Sequence, residues 1–208
     1  MQVGLFFGSF NPIHVGHLII ANFMATQTDL QQVWLVVSPH NPLKQKKTLA
    51  RDRDRLNMVQ NAIKNNSKII ACDIEFKLPQ PSYTIDTLAV MAEKYPQHSF
   101  TLVMGSDNLA GISKWKNFEI ILARYRIFVY ARLSGGESKI SENLFTSDKL
   151  NKKNENSTHQ NIKIFNAPLL DISATYIRDC IKKNISIEYL VPETVLKYIE
   201  EAGLYKNS

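Results

Sequence analysis

Two histidines follow the first predicted strand at a point where the chain could bind an anion. The strand ends at Phe7, and the segment Gly8–His17, GSFNPIHVGH, leads into a helix that is predicted to begin near Val15. Because His14 and His17 are three residues apart at a helix start, both imidazoles are expected on one helix face. A helix N-terminus offers free amides and the positive end of a dipole, so this loop is predicted to bind phosphate.

The glycines of this loop, and the motifs that the chain lacks, narrow the chemistry. Gly8 is predicted to let the backbone approach a ligand closely, and Gly16 to allow close packing at the helix start. The absence of GxxxxGK[ST] and of GxGxxG argues against a P-loop NTPase and against a Rossmann dehydrogenase. A zinc site is disfavoured because neither HExxH nor a suitably spaced third ligand accompanies the two histidines.

A second candidate phosphate site lies near the end of the chain, in the segment Ile172–Arg178, ISATYIR. Ser173 is the predicted N-cap of a helix. Thr175 falls in its first turn, and Arg178 follows three residues later on the same face. A helix N-terminus that carries a hydroxyl and a guanidinium can hold a polyphosphate. A capped surface helix with a solvent-facing arginine is the alternative when the segment is taken alone.

Strands and helices alternate along the chain, which predicts an α/β fold with a parallel sheet, doubly wound and Rossmann-like, with helices on both faces. The predicted strands are Val3–Phe7, Gln32–Val37, Lys68–Cys72, Phe100–Met104, Ile127–Ala131 and Lys163–Phe165. The predicted helices are Val15–Gln27, Arg51–Asn65, Thr84–Tyr95, Ser173–Lys182 and Pro192–Ala202. We expect one domain over residues 1–208, with residues 173–208 forming a C-terminal helical part. The polar stretch Ser134–Asn161 is predicted to be a flexible loop or insertion.

Composition and charge exclude few classes but favour anionic ligands. The 208 residues are 44% hydrophobic and 21% charged, which is typical of a globular protein. The net charge of +6 favours anions, and a basic cluster runs from Lys44 to Arg55. A nucleic-acid-binding module is therefore an alternative, although the cluster lacks interleaved aromatic residues. The sequence has neither a membrane-spanning apolar run nor a signal peptide, and its two cysteines are predicted to be buried thiols. We therefore expect a cytoplasmic protein and no membrane partner.

The element H-x-G-H after a first strand resembles the signature of the nucleotidyltransferase superfamily that is related to class I aminoacyl-tRNA synthetases. The segment Ile172–Arg178 resembles the ISSTxIR element of the same superfamily, which binds the β- and γ-phosphates. The resemblance implies that His14 and His17 contact the ATP phosphates and stabilise a pentacovalent transition state. Ala174 replaces the second serine, which puts one hydroxyl contact in doubt. Asn11 stands where many relatives carry Asp, and either residue can brace the loop.

Further elements narrow the resemblance to the bacterial nicotinate-nucleotide adenylyltransferases, from Val3 to Tyr205 apart from the polar stretch. These elements are PSYTIDTL at residues 81–88, GSDNL at residues 105–109, and Trp115, eight residues after Asp107. The indole of Trp115 can stack on a pyridine ring, and the helix N-terminus at Tyr83–Thr84 offers amides to a carboxylate. Asp107 directly follows a strand and can accept hydrogen bonds from ribose hydroxyls or orient a metal-bound water.

The resemblance implies that ATP and nicotinate mononucleotide are the substrates, with Mg²⁺ held by the ATP phosphates rather than by protein side chains. The predicted catalytic residues are His14, His17, Lys44 and Arg178. The predicted ATP-binding residues are Gly8, Ser9, Phe10, His14, His17, Gly105, Asp107, Ser173, Thr175 and Arg178. The predicted residues for nicotinate mononucleotide are Ser9, Lys44, Tyr83, Thr84, Asp107 and Trp115. Nicotinamide mononucleotide and phosphopantetheine remain alternative acceptors, and the sequence leaves a homo-oligomer open.

Overall fold

A computed structural model describes residues 1–39, 49–130, 161–168 and 170–206 of the chain. Its strands form one six-stranded sheet in the order β3-β2-β1-β4-β5-β6, and every neighbouring pair is parallel. The strands are β1 (Gln2–Gly8), β2 (Gln32–Val37), β3 (Ile69–Cys72), β4 (Ser99–Gly105), β5 (Arg126–Tyr130) and β6 (Ile162–Phe165). The parallel sheet predicted from the sequence is confirmed, with strand ends within one residue of the prediction. The predicted extension of β5 to Ala131 lies outside the described residues.

Seven α-helices in the described part of the chain cover both faces of the sheet. They are α1 (Val15–Gln27), α2 (Asp52–Ile63), α3 (Thr84–Lys94), α4 (Ser106–Ala110), α5 (Phe118–Arg124), α6 (Ala174–Lys182) and α7 (Glu193–Glu201). Five of them were predicted from apolar spacing. The short helices α4 and α5 were not, because Gly111 and the left-handed Asn117, with φ of 52°, interrupt the stretch between β4 and β5.

Alternation along the strands builds a hydrophobic core on each side of the sheet. In β1, Phe6 packs into one cluster while Val3 and Leu5 pack into the other, since successive side chains of a strand point to opposite faces. The first cluster includes residues of α1, α2, α6 and α7, and the second includes residues of α3, α4 and α5. The doubly wound arrangement is therefore confirmed, and the C-terminal helices α6 and α7 pack on the same face as α1 and α2.

The strand order reverses direction between β1 and β4, and this places a crevice at their carboxyl ends. The register that pairs Phe6 with Val103 brings Gly8 and Gly105, each two residues further on, to the same edge of the sheet. Open α/β sheets bind ligands at such a switch point. None of the helices in the described ranges is long and apolar enough to span a membrane. The predicted loop Ser134–Asn161 lies outside the described residues except for Asn161.

Candidate active site

The loop after β1 is shaped by the ring of Phe10. Phe10 adopts a left-handed backbone conformation with φ of 44°, and its side chain is 1% exposed. A side chain at Gly8 would force the ring of Phe10 to move, because a Cβ there would lie 2.8 Å from that ring. The prediction that Gly8 makes room for a ligand is thus modified, since the space is filled by Phe10. Any contact of Phe10 with a nucleotide must come from its backbone.

His14 and His17 lie side by side at the start of α1, as predicted. Their ring centroids are 3.7 Å apart, and the amide of His14 donates to Nδ1 of His17 over 3.3 Å. His14 is 4% exposed, whereas His17 is half-buried and therefore the more accessible of the two. A Cβ on Gly16 would lie 3.1 Å from Nδ1 of His14, so Gly16 provides the space for that imidazole. This confirms the predicted close packing at the helix start.

The N-terminus of α1 is less open to an anion than the sequence predicted. The amide of Val15 donates to the carbonyl of Leu190, 3.0 Å away, so a C-terminal segment of the chain takes one of the amides of the first turn. The amide of His17 donates to the carbonyl of His14 over 3.0 Å. Helix termini leave only their first few amides unpaired. A phosphate bound at this end would therefore depend more on the histidine side chains than on the helix amides.

Arg178 joins the C-terminal segment to the first loop. Its Nη1 donates to the carbonyl of Asn11 over 2.8 Å, and its Nη2 donates to Oγ1 of Thr175 over 3.2 Å. Ser173 caps α6 as predicted, because its Oγ accepts from the amide of Tyr176 over 3.1 Å. The two candidate phosphate sites, far apart in sequence, thus meet at the carboxyl edge of the sheet, and Arg178 brings a guanidinium to the loop that carries the histidines.

Asn11 is the point at which three distant segments meet. Its side-chain Oδ1 accepts from the amide of Ala50 over 3.0 Å and from the hydroxyl of Tyr205 over 2.9 Å. Asn11 is 2% exposed, so these bonds are shielded from water. Burial raises the pKa of Tyr205 well above its usual value, and the phenol therefore remains a donor at physiological pH. The predicted role of Asn11 as a brace has concrete partners here, and both bonds use an oxygen that Asp would also offer.

Of the basic cluster predicted between Lys44 and Arg55, the three arginines in the described part of the chain do not share one surface. Arg51 and Arg53 are exposed, but Arg55 is fully buried. Its guanidinium donates to the carbonyls of Ser9 and Ser38, at 2.6 Å each. This burial removes support from a nucleic-acid interface in this part of the chain. The predicted catalytic Lys44 lies outside the described residues.

Asp107 lies at the carboxyl end of β4, where the sequence predicted it. It is exposed, and a Cβ on Gly105 would meet its Oδ1 and the ring of Tyr130, so Gly105 lets this carboxylate fold back over the strand end. Tyr130 also packs its ring against Phe6 with 5.9 Å between centroids. The carboxylate of Asp107 therefore lies at the same carboxyl edge of the sheet as Gly8.

Lys116 lies between the residues predicted to bind the nicotinate carboxylate, at the start of α3, and Trp115, which is predicted to stack on the pyridine ring. The Nζ of Lys116 contacts both carboxylate oxygens of Asp86 at 2.9 and 3.2 Å and lies 4.8 Å from the centroid of the Tyr83 ring. Tyr83 is the N-cap residue of α3, and Trp115 directly precedes Lys116. Trp115 is half-buried against the core, which leaves part of the indole exposed. Thr84, the first residue of α3, is also half-buried.

Sequence reasoning missed two participants of this site, Arg55 and Lys116. Arg55 shares a helix face with Met58, Val59 and Ala62, and a charged residue on an apolar stripe was the available signal. For Lys116, no signal was present, because its partners Tyr83 and Asp86 lie about thirty positions away and only the folded chain brings them together.

Comparison with known proteins defines the class first. Residues 5–180, most of the chain, match the cytidylyltransferase-like family. The chain is similar in fold to the nicotinic acid mononucleotide adenylyltransferase of Plasmodium falciparum, solved in complex with NaAD. The TM-score is 0.76 with 21% sequence identity, and the match covers 100% of this chain and 98% of that one.

Curated relatives then give the particular family. The chain is 50% identical to a probable nicotinate-nucleotide adenylyltransferase of Flavobacterium psychrophilum and also to one of Cytophaga hutchinsonii, over the full length of both chains in each case. It is 35% identical to the Bacteroides thetaiotaomicron protein of the same name, covering 97% of this chain and 92% of that protein. The chain belongs to the nicotinate-nucleotide adenylyltransferase family.

Proposed function

We propose that this protein transfers the adenylyl group of ATP to nicotinate mononucleotide and releases pyrophosphate. The observation that carries the proposal is the hydrogen bond between Arg178 and the carbonyl of Asn11, which brings the two candidate phosphate-binding segments together from opposite ends of the chain. The full-length identity of 50% to nicotinate-nucleotide adenylyltransferases supports the acceptor. A solved enzyme of the same fold was captured with NaAD, which supports a dinucleotide product.

The reaction is an in-line displacement at the α-phosphorus of ATP. An oxygen of the 5′-phosphate of nicotinate mononucleotide forms the new bond to this phosphorus, and the bond from phosphorus to the bridging oxygen of the β-phosphate breaks. Pyrophosphate leaves with the electron pair of that bond. A phosphate monoester is already ionised near neutral pH, so the protein supplies positioning and charge stabilisation rather than a general base. His14, His17, Lys44 and Arg178 are proposed to face the oxygens on which charge grows.

The acceptor is proposed to lie between α3 and Trp115. The amides at the N-terminus of α3, near Tyr83 and Thr84, offer donors to the nicotinate carboxylate. The exposed part of the Trp115 indole can stack on the pyridine ring, and a cationic pyridinium adds on the order of 1 kcal/mol of cation–π attraction. Asp107 is proposed to accept hydrogen bonds from ribose hydroxyls.

Mg²⁺ is proposed to arrive on the phosphates of ATP, where it would neutralise their charge. Such ions need only one or two protein carboxylates in addition to phosphate oxygens and water. Within the described residues no three side chains of His, Cys, Asp or Glu are grouped to hold a metal, and Asp107 offers one exposed carboxylate at the edge of the sheet. These residues fit an ion that is delivered by the substrate, in a reaction that we place in the cytoplasm.

One assay tests the proposal. Purified protein is incubated with ATP, Mg²⁺ and each of nicotinate mononucleotide, nicotinamide mononucleotide and phosphopantetheine, and the products are separated by chromatography. We expect nicotinate adenine dinucleotide and pyrophosphate in equal amounts, with kcat/KM highest for the nicotinate acceptor. Preference for either other acceptor would contradict the proposed substrate, and the absence of any ATP turnover would contradict the activity. Arg178→Met serves as the matched inactive variant, with the exposed Arg124→Met as its control.

A further inference from the structure

The positive charge of Arg55 lies near the N-terminus of its own helix, where the helix dipole disfavours a cation. Arg55 lies four residues after the N-cap of α2, at the positive end of the helix dipole, and its side chain is 0% exposed. The carboxylate of Asp52, half-exposed, contacts Nη2 at 2.6 Å. A buried cation needs several good partners to offset the loss of water. The partners of Arg55 therefore indicate what its position achieves.

Those partners are mainly backbone carbonyls from three separate segments. Nη1 donates to the carbonyls of Ser9 and Ser38, Nη2 to that of Pro39 over 3.1 Å, and Nε to that of Ala50 over 3.2 Å. Only the planar fork of a guanidinium can serve so many acceptors at once. Arg55 thus joins the end of β1, the end of β2 and the residue before the N-cap of α2.

The segment most in need of support is Ser9–Asn11. Phe10 occupies the left-handed region with φ of 44°, a conformation that non-glycine side chains adopt only where their surroundings hold them. Arg55 fixes the carbonyl of Ser9 on one side of Phe10. On the other side of Phe10, the side chain of Asn11 accepts a hydrogen bond from the amide of Ala50. The carbonyl of Ala50 in turn accepts from Arg55. The strained residue is therefore held from both directions by contacts that lead to one guanidinium.

We propose that Arg55 is the positioning residue of the phosphate site: it does not touch substrate, but holds the Ser9–Asn11 loop in the conformation that receives ATP. The inference deepens, and rests on, the proposed adenylyl transfer. A misplacement of about 1 Å in such a loop can lower turnover by about a hundredfold. Ser9 is predicted to contact both substrates, whereas the acceptor groups at α3 and Trp115 form no hydrogen bond with Arg55 in the described part of the chain and are expected to keep their positions.

The test compares Arg55→Lys and Arg55→Gln with the control Arg126→Lys. Lysine keeps the charge but loses the fork, and glutamine keeps two N–H donors without the charge. Arg126 also makes a two-pronged ion pair, with Asp29 at 2.7 and 2.9 Å, but at the start of β5, away from the carboxyl edge. Circular dichroism and thermal melts establish folding, and kinetics are measured well below each melting temperature.

We expect folded Arg55 variants to lose between about ten- and a hundredfold in kcat/KM for ATP, with a smaller rise in KM for nicotinate mononucleotide, which is also proposed to bind at α3 and Trp115. Calorimetric ATP affinity without acceptor should fall as well. Arg126→Lys should change none of these values more than twofold. A folded variant with unchanged ATP kinetics and affinity would overturn the proposal, and so would the failure of both variants to fold, which would assign Arg55 to global stability.

The outcome is separable from that of the proposed function. If the wild type binds ATP but forms no nicotinate adenine dinucleotide, the proposed function fails, while the ATP affinities of the variants still decide the role of Arg55. If the wild type is active and folded variants match it, only the role of Arg55 fails.

Discussion

One hydrogen bond determines which ring nitrogen of His17 carries the proton in the neutral imidazole. Because Nδ1 accepts from the amide of His14, the neutral imidazole carries its proton on Nε2 and donates from that nitrogen. The ring of Phe10, with its centroid 5.1 Å away, packs edge-on against this imidazole and limits its rotation. His17 is thus a prepositioned donor beside the candidate phosphate site, and the more accessible of the two histidines.

From this geometry we expect His17→Ala to lower kcat by about 10²–10³-fold, the usual effect of removing one donor to a transition-state oxygen. ATP affinity should change much less, because a prepositioned donor acts mainly as charge grows on the oxygens. Steady-state kinetics and calorimetric ATP binding give the two values. His98→Asn, which alters a histidine directly before β4 at the opposite edge of the sheet, is the control. An equal loss in kcat and in ATP affinity would contradict a transition-state role.

At the scale of elements, the contact of Lys116 with α3 has a consequence for the choice of acceptor. The carboxylate of Asp86 lies in the first turn of α3, where the nicotinate carboxylate is proposed to bind. Lys116 neutralises Asp86 at 2.9 Å and ties the segment after Trp115 to this helix. Without Lys116, the charge of Asp86 would repel the acid substrate but not the amide.

We therefore expect Lys116→Met to raise KM for nicotinate mononucleotide by about fivefold, since exposed ion pairs contribute up to about 1 kcal/mol. KM for ATP should stay the same, Lys116→Arg should retain the wild-type value, and Asp86→Asn in the Lys116→Met background should restore it. Initial rates with both mononucleotides give the ratio of acid to amide preference. If Asp86→Asn gives no recovery, the ion pair does not act through charge.

The helices and strands were largely predictable from the sequence, whereas the contacts that hold them together were not. Strands such as β2 are continuous apolar runs between polar turns, and α1 has a clear apolar spacing, so both were located from the sequence. The contact partners of Arg55 are backbone carbonyls, which carry no signature in side-chain identity. Lys116 and Asp86 became neighbours only through the packing of α3 beside the stretch between β4 and β5. The sequence thus indicated candidate phosphate-binding residues, but not the residues that hold them in place.

At the scale of the whole molecule, the last turn of the described chain supports the first loop. Tyr205, 194 positions after Asn11, donates to its Oδ1, and Leu190 accepts from the first amide of α1. The C-terminal part of the chain therefore braces the loop of the candidate phosphate site, although it adds no strand to the sheet. Because the bond of Tyr205 is shielded, we expect it to stabilise the fold as well as the loop.

Tyr205→Phe should lower the free energy of unfolding by about 1 kcal/mol, the usual value of one hydrogen bond. The effect has a predictable pH dependence, because burial raises the pKa of Tyr205 above the value of 10.0 expected in the unfolded chain. Below about pH 10 the phenol is protonated in both states, and the contribution of Tyr205 is complete. At higher pH the unfolded chain releases the proton first, so the folded state loses this stability. Urea denaturation of wild type and Tyr205→Phe at pH 8 and at pH 10.5 should therefore show a difference that is smaller at the higher pH. A difference that is equal at both values would mean that the phenol ionises as readily when folded as when unfolded, and that the C-terminal turn does not shield the loop.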